Sequence, residues 1–106
     1  MSEIATVITP DGKTTKIELP ANNKKESKQR CEKLWEIVGG YFDAVPGKGF
    51  RTIYCHDEGK LKGLPVNQAA TDLLHPDYAG TFLVGTVVVV QEMNILKRVK
   101  MKGGEK

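Results

Sequence analysis

The stretch Phe82-Leu83-Val84-Gly85-Thr86-Val87-Val88-Val89-Val90 decides the fold that this sequence predicts. Its apolar residues fall on both alternating faces of an extended chain, and Gly85 is the small residue that interrupts them. Strands with this pattern lie in the interior of a sheet, because both of their faces have to be covered. The sequence therefore predicts a central strand with other structure packed on each side of it.

Two hairpins and one last strand are predicted around this central strand. The turn signal Pro10-Asp11-Gly12 and the connection Pro46-Gly47-Lys48-Gly49 each separate two segments rich in β-branched, aromatic or alternating residues. Connections this short favour antiparallel pairing. The predicted strands are residues 4–9, 14–19, 41–45, 50–56 and 95–102. The hydrophobic content of residues 41–45 suits either the core or the interface of a homodimer.

A first helix is predicted between the two hairpins. Asn23 and Glu26 have the spacing of a capping box, and Gly39-Gly40 is typical of a helix end, because glycine adopts the left-handed conformation freely. Apolar residues at helical spacing line one face of this helix, and we expect them in the core. They are Cys31, Leu34, Trp35 and Val38.

A second, shorter helix is predicted after residue 67. Asn67 is expected to cap it by accepting a hydrogen bond from the backbone N–H of Ala69 or Ala70. Pro76 ends it, because the residue before a proline is pushed out of helical geometry. Together these elements predict an α+β fold, a mainly antiparallel sheet of about five or six strands with two helices.

Length and composition predict one ordinary globular domain. The chain has 106 residues, of which 40% are hydrophobic and 27% charged. We expect a single domain over residues 1–102 and a disordered tail at 103–106. The longest apolar run, residues 82–90, is about half the length of a membrane-spanning helix, so no membrane association is expected. The N-terminus lacks the pattern of a secretory signal, which predicts a cytoplasmic protein.

The titratable residues predict no catalytic set, no metal site and no cofactor. Cys31 and Cys55 lie in apolar-patterned segments and are expected to act as small hydrophobic residues. Neighbours on a strand point to opposite faces, so Cys55 and His56 are not expected to converge on one ion. A hydrolase that uses His56, Asp57 and Glu58 is therefore the weakest functional hypothesis.

The segment Asp57-Glu58-Gly59-Lys60-Leu61-Lys62-Gly63-Leu64-Pro65-Val66-Asn67, the 57–67 loop, is the candidate functional site. Two glycines, a stiff Leu-Pro step and a capping Asn each restrict the backbone, which predicts a fixed loop. We expect a protein or a small anionic ligand to bind it. The candidate binding residues are Asp57, Glu58, Lys60, Lys62 and Asn67. Asn67 at a helix start suits a cap more than an anion site.

The C-terminal ten residues carry five basic side chains against one glutamate, whereas the rest of the chain is nearly neutral. Arg98, Lys100 and Lys102 alternate on one face of the predicted last strand. Lysines on an edge strand discourage aggregation between sheets. The same side chains, with Lys60 and Lys62, are also suited to phosphates. The alternative function is therefore nucleic-acid or nucleotide binding.

Three segments resemble a small family known as a domain of unknown function, found in phages, other large DNA viruses and bacteria, often in mobile elements. The resemblance lies in Gly39-Gly40-Tyr41, in residues 57–71, and in residues 80–90 with Val84-Gly85. These match the family pattern G-G-[YW], D-E-x-G-K-L-x-G-L-P-x-N-x-x-A-T and I/V-V-G. The family usually has an acidic residue before the last motif, where this chain has Thr81-Phe82-Leu83.

This resemblance implies a source more than a reaction, because no activity is assigned to the family. It implies a viral or mobile-element accessory protein that binds a host protein or a nucleotide signal, in the cytoplasm of the host cell. A counter-defence role would follow from such a source. The main functional hypothesis is thus a non-enzymatic binding protein that acts through the 57–67 loop.

Overall fold

The computed structural model describes residues 2–21, 23–78 and 80–91. The strands are β1 (Ser2–Ile8), β2 (Thr14–Pro20), β3 (Phe42–Gly47), β4 (Arg51–His56) and β5 (Val87–Gln91), and the helices are α1 (Ser27–Val38) and α2 (Gln68–Thr71). The strands form one antiparallel sheet in the order β2-β1-β5-β4-β3. The predicted α+β fold is therefore confirmed, with five strands among the described residues.

The strand β5 is the central strand, and its two faces contribute to two separate cores. Val87 and Val89 pack in one apolar cluster, and Val88 and Val90 pack in the other, on the opposite face. This arrangement is the physical reason for an uninterrupted apolar run. The strand begins at residue 87 rather than 82, because Gly85 has a φ of 75° and breaks the extended conformation.

The helix α1 covers one face of the sheet, and Leu34 and Val38 of its predicted apolar stripe are buried as expected. Its buried residues are Arg30, Leu34 and Val38. Cys31 and Trp35 are exposed, so the prediction that they pack in the core is wrong. Each follows a buried residue by one position, which rotates it about 100° around the helix. The core side of α1 is therefore set by Arg30, whose polarity concealed it in the apolar pattern.

Arg30 can be buried at this position because its guanidinium has hydrogen-bond acceptors around it. Its guanidinium donates to the carboxylate of Glu3, to the carbonyl oxygen of Pro20 at 3.0 Å and to the hydroxyl of Tyr54 at 3.2 Å. Burial works against the charged form, but the hydrogen bonds to Tyr54 and Glu3 outweigh it and raise the pKa of Arg30. The side chain thus joins α1 to β1, β2 and β4.

The other face of the sheet is covered by α2 and by irregular segments. Ala70 and Leu74 pack there against Ile53 and Val87. The hairpin of β3 and β4 is antiparallel, as predicted, but its turn lies at Lys48–Phe50. The predicted connection, residues 46–49, therefore begins and ends too early.

The predicted sixth strand at residues 95–102 and the tail at 103–106 lie outside the described residues. Arg98, Lys100 and Lys102 lie there too, so their proposed contact with a polyanion stays a prediction. Within the part of the chain that the structure describes, no helix has both the length and the apolarity of a membrane span.

Candidate functional site

The 57–67 loop is a compact turn that its own backbone fixes. The N–H of Lys62 donates to the carbonyl of Glu58 at 3.0 Å, and the N–H of Leu64 donates to the carbonyl of Gly59 at 3.1 Å. Gly63 has a φ of 70° and donates to the carbonyl of Lys60 at 3.2 Å. This pattern is a Schellman motif, in which a left-handed glycine closes a single helical turn.

The loop is also joined to the segment that precedes β5. The N–H of Asn67 donates to the carbonyl of Leu83 at 2.8 Å, and the N–H of Gly85 donates to the carbonyl of Pro65 at 2.7 Å. A Cβ on Gly59 would lie 2.7 Å from Val84, so the two segments are packed as closely as glycine allows. The loop is therefore fixed both by hydrogen bonds within its own backbone and by its contacts with the segment before β5.

Asn67 lies beneath the loop rather than on its surface, with an exposed fraction of 0%. Its Oδ1 accepts from the N–H of Ala70 at 3.0 Å, which confirms the predicted cap of α2. Its Nδ2 donates to the carbonyls of Ile8 at 3.0 Å and Gly85 at 2.8 Å. All of its polar atoms are thus used within the fold, and a ligand at the surface does not reach it.

The other four candidate binding residues are exposed, and they divide between two cavities. Asp57 and Lys60 line one cavity, which we call the loop cavity. Glu58 and Lys62 line a second, which we call the aromatic cavity. His56 borders both. The structure therefore does not bring the predicted residues together at one site, but places them on two sides of a buried histidine.

The loop cavity has a volume of about 230 Å³ and mostly apolar walls. Those walls come from β3, from the end of β4, from the segment that follows α2 and from the segment before β5; they include Val45, Leu74, Leu83 and Val84. Its rim holds Leu61, which is 88% exposed, and Phe82, which is 44% exposed. The ammonium of Lys60 lies 4.3 Å from the centroid of the Phe82 ring, a cation–π contact that holds the lysine at the rim.

The aromatic cavity has a volume of about 350 Å³ and is lined by Trp35, Gly40, Tyr41, His56, Glu58 and Lys62. The Trp35 and Tyr41 rings meet edge to face, with centroids 5.4 Å apart and planes at 84°. Sequence reasoning missed this site, because it assigned Trp35 to the core and Tyr41 to a strand. The available signal was the pair of aromatic residues on either side of Gly39-Gly40.

His56 lies between the two cavities, and a hydrogen bond from the backbone of Glu58 fixes its tautomer. Its Nδ1 accepts a hydrogen bond from the N–H of Glu58 at 3.0 Å, so the ring proton lies on Nε2. The carboxylate of Asp57 is 3.9 Å from Nδ1, beyond hydrogen-bond distance. A histidine base needs a free lone pair, and in this tautomer the lone pair of Nδ1 already accepts from the N–H of Glu58.

The segments that carry the family resemblance meet around this histidine. The N–H of Asp57 donates to the carbonyl of Tyr41 at 3.1 Å, and a Cβ on Gly40 would lie 2.8 Å from Nε2 of His56. Gly85, from the third segment, is bound by the loop and by Asn67. The motifs are thus parts of one structural unit.

Among the residues described, no three His, Cys, Asp or Glu side chains are grouped as they would be around a metal ion. The two cysteines differ sharply in environment. Cys55 is buried as predicted, whereas Cys31 is exposed. Burial, and secondarily the negative charge of Asp43, raises the pKa of the Cys55 thiol above its ordinary value.

We expect the two thiols to react with iodoacetamide at clearly different rates. The thiolate is the reactive form. Cys55 is shielded from the reagent, and its raised pKa leaves a smaller fraction of it as thiolate at mildly alkaline pH. Cys31 should therefore react about tenfold faster or more. Mass spectrometry of a time course measures this, with the Cys31→Ser variant as the control that loses the fast phase. Equal rates in the folded protein would contradict the burial of Cys55.

Comparison with known proteins identifies a family but no individual relative. The model of a family described as a domain of unknown function, DUF3846, matches residues 2–95. No curated protein and no solved structure matches the chain. The match confirms the resemblance to a small family of this kind.

Proposed function

We propose that this chain, which belongs to the DUF3846 family, is a binding module whose partner is a protein. In this proposal the partner docks on the 57–67 loop and inserts one apolar side chain into the loop cavity. The observation that carries the proposal is the combination of a fixed loop, an apolar cavity beside it and an exposed apolar rim. Exposed apolar surface around a preformed cavity is typical of interaction sites.

The size of the loop cavity supports a side chain over a complete small molecule. Its volume of about 230 Å³ lies below the range of small-molecule sites, which is about 300–1,000 Å³. An anchoring side chain in a pocket is the usual centre of a protein interface. Leu61 and Phe82 at the rim would add apolar contact around that anchor.

The polar groups at the mouth of the loop cavity would determine which residues of the partner can lie next to its anchoring side chain. Asp43 and Asp57 contribute two carboxylates and Lys60 one ammonium. Because Lys60 is already held over Phe82, the carboxylates are the groups with more freedom to pair. We therefore propose a partner segment with a basic residue next to its apolar anchor.

Binding rather than catalysis is supported by the use of polar groups within the fold. Asn67 and Nδ1 of His56 are both occupied by backbone groups of this chain. The family resemblance supports the further proposal of a viral or mobile-element accessory protein. Its partner would then be a host protein, met in the host cytoplasm, and a counter-defence effect would follow from binding it.

Selection from a display library of random peptides tests the binding proposal. We expect enrichment of peptides with an apolar residue beside Lys or Arg. Leu61→Asp should weaken their binding about tenfold or more, because it puts a charge on the rim of an apolar cavity. Val66→Asp is the matched control, since Val66 is also exposed on the loop but does not line the cavity.

Two outcomes would contradict the proposal. One is the absence of any enriched sequence in the selection. The other is an enriched peptide that binds Leu61→Asp as tightly as the unmodified protein. Circular dichroism of both variants separates a lost contact from a lost fold.

A further inference from the structure

We infer that the aromatic cavity is a binding site for a nucleotide unit, with the base against Trp35 and Tyr41 and an acceptor atom of the base on Nε2–H of His56. This site lies on the other side of His56 from the loop cavity. It goes beyond the proposed function, because it needs no protein partner and none of the apolar rim.

The first support is a donor nitrogen on a largely buried side chain, which makes no hydrogen bond with the described residues. His56 is 8% exposed, and its Nδ1 is occupied by the N–H of Glu58, so Nε2 carries the proton. No residue in the described ranges accepts a hydrogen bond from Nε2. Among the described residues no fully buried side-chain nitrogen or oxygen lacks a partner, so Nε2 is in contact with the cavity, and a ligand acceptor would replace water there.

The second support is the direction of that donor. A Cβ on Gly40 would lie 2.8 Å from Nε2, so a side chain at residue 40 would cover this nitrogen and glycine leaves it uncovered. Gly40 itself lines the aromatic cavity. Because His56 lines this cavity too, a ligand in the cavity can approach Nε2 beside Gly40, whereas a side chain at residue 40 would obstruct that approach.

The third support is aromatic surface that packing leaves uncovered. Trp35 is 44% exposed and Tyr41 is 69% exposed, although both are large rings. Their edge-to-face contact holds the two rings in a fixed relation. Exposed rings beside a basic residue are the means by which proteins stack nucleobases. A flat ligand with a hydrogen-bond acceptor suits this wall better than a branched apolar side chain does.

The fourth support is the pair of charges at the edge of the cavity. Glu58 and Lys62 both line it, and within the described part of the chain neither takes part in an ion pair. A carboxylate accepts hydrogen bonds from ribose hydroxyls, as in dinucleotide sites, and a lysine binds phosphate. A nucleotide would thus use each polar group that the cavity presents.

The volume agrees with this choice of ligand. At about 350 Å³ the aromatic cavity falls within the range of small-molecule sites, about 300–1,000 Å³, whereas the loop cavity does not. Lys62 is shared with the polyanion hypothesis from the sequence, but Arg98, Lys100 and Lys102 are not part of this site. Tyr41→Ala therefore tests this site independently of that hypothesis.

Intrinsic fluorescence tests the site directly, because Trp35 is the only tryptophan in the chain. The probes are the four ribonucleoside monophosphates, a uridine oligonucleotide and inorganic phosphate. We expect saturable quenching by at least one nucleotide and none by phosphate alone. A second readout is the imidazole Nε2–H of His56 in a nitrogen–proton correlation spectrum, which should shift as the acceptor binds.

Variants on each side of His56 make the assignment specific. Tyr41→Ala should weaken nucleotide binding about fivefold or more through lost stacking. Lys62→Ala should weaken it and reduce its salt dependence. Tyr78→Ala and Lys60→Ala are the matched controls, because both line the loop cavity and neither lines the aromatic cavity. Leu61→Asp should leave nucleotide binding unchanged, which separates this inference from the proposed function.

The oligonucleotide arm identifies the source of the nucleotide. Similar affinity for monomer and oligomer indicates a free nucleotide, and much tighter binding of the oligomer indicates a single strand. The inference is overturned if no nucleotide quenches saturably, or if Tyr41→Ala and Lys62→Ala bind as the unmodified protein does. Quenching by peptides from the display selection, without quenching by nucleotides, would also overturn it.

Discussion

Replacement of Asn67 by alanine is expected to lower the free energy of unfolding by about 3–5 kcal/mol. The side chain is completely buried and makes hydrogen bonds with Ile8, Gly85 and Ala70. Alanine leaves two carbonyls and one N–H without their partner, and each buried unsatisfied group costs about 1–3 kcal/mol. Since a domain of this size is stable by roughly 5–15 kcal/mol, this single change removes a large share.

Urea denaturation followed by circular dichroism measures this loss. Gln68→Ala is the matched control: Gln68 is the next residue and is exposed, so its replacement should change the free energy of unfolding by less than about 0.5 kcal/mol. Asn67→Asp keeps an acceptor for the cap but turns a carboxylate toward the carbonyls of Ile8 and Gly85. At neutral pH it should be at least as destabilising as alanine.

The comparison of these two variants decides which role of Asn67 dominates. If only the cap of α2 matters, Asn67→Asp will be close to the unmodified protein, because Asp is a good N-cap. If the bridge between β1 and Gly85 matters, both variants will be strongly destabilised. A loss below about 1 kcal/mol in Asn67→Ala would contradict the view that this residue holds the loop in place.

Much of the fold follows from local patterns in the sequence. The apolar run before residue 91 predicts a strand covered on both faces, and Val87 to Val90 divide between two cores as this requires. The cap of α2 is equally predictable, because it depends on a side chain and a backbone group three residues apart. Short-range rules fix both features.

The errors arise where a distant contact decides the outcome. The apolar stripe of α1, considered without the rest of the fold, predicts that Trp35 is a core residue. Leu34 and Val38 are buried as predicted, but the third buried residue is Arg30, whose hydrogen bonds come from Glu3 and Tyr54, far along the chain. A charged residue with such partners can be buried, but the partners are visible only once the sheet is assembled.

The candidate site shows the same division between local and distant determinants. The 57–67 loop stands out in the sequence by its glycines and proline, and it is indeed fixed by its own backbone. Its two cavities do not stand out, because they form where β3, α1 and the segment before β5 meet the loop. The tautomer of His56 depends on the N–H of Glu58, which the residue types alone do not reveal.

Gly85→Ala is expected to lower the free energy of unfolding by about 2–4 kcal/mol, and Gly63→Ala by only about 1 kcal/mol. Both glycines have left-handed backbones, with φ of 75° and 70°, so both variants incur the same conformational strain. The two positions differ in the room that is available for a Cβ atom. A Cβ on Gly85 would lie 2.8 Å from Cδ1 of Leu64, and a Cβ on Gly63 would meet nothing within 4 Å.

The side chain of Leu64 lies between Gly85 and Gly59 and is close to both. Its Cδ1 also lies 3.3 Å from where a Cβ on Gly59 would be, so it fills the gap between the loop and the segment before β5. Displacing it strains both packing contacts, and overpacking of this kind costs about 1–3 kcal/mol. The difference between Gly85→Ala and Gly63→Ala therefore measures how closely the loop is packed, apart from backbone strain.

A double-mutant cycle with Leu64→Ala tests this explanation. When Leu64 is truncated, Gly85→Ala should become no more destabilising than Gly63→Ala, because only the backbone strain remains. Urea denaturation of the four proteins in the cycle gives the coupling energy. Absence of coupling would mean that the glycine is needed for its φ alone. Coupling would mean that Gly85 is needed so that the loop can lie directly on the chain before β5, which forms one wall of the loop cavity.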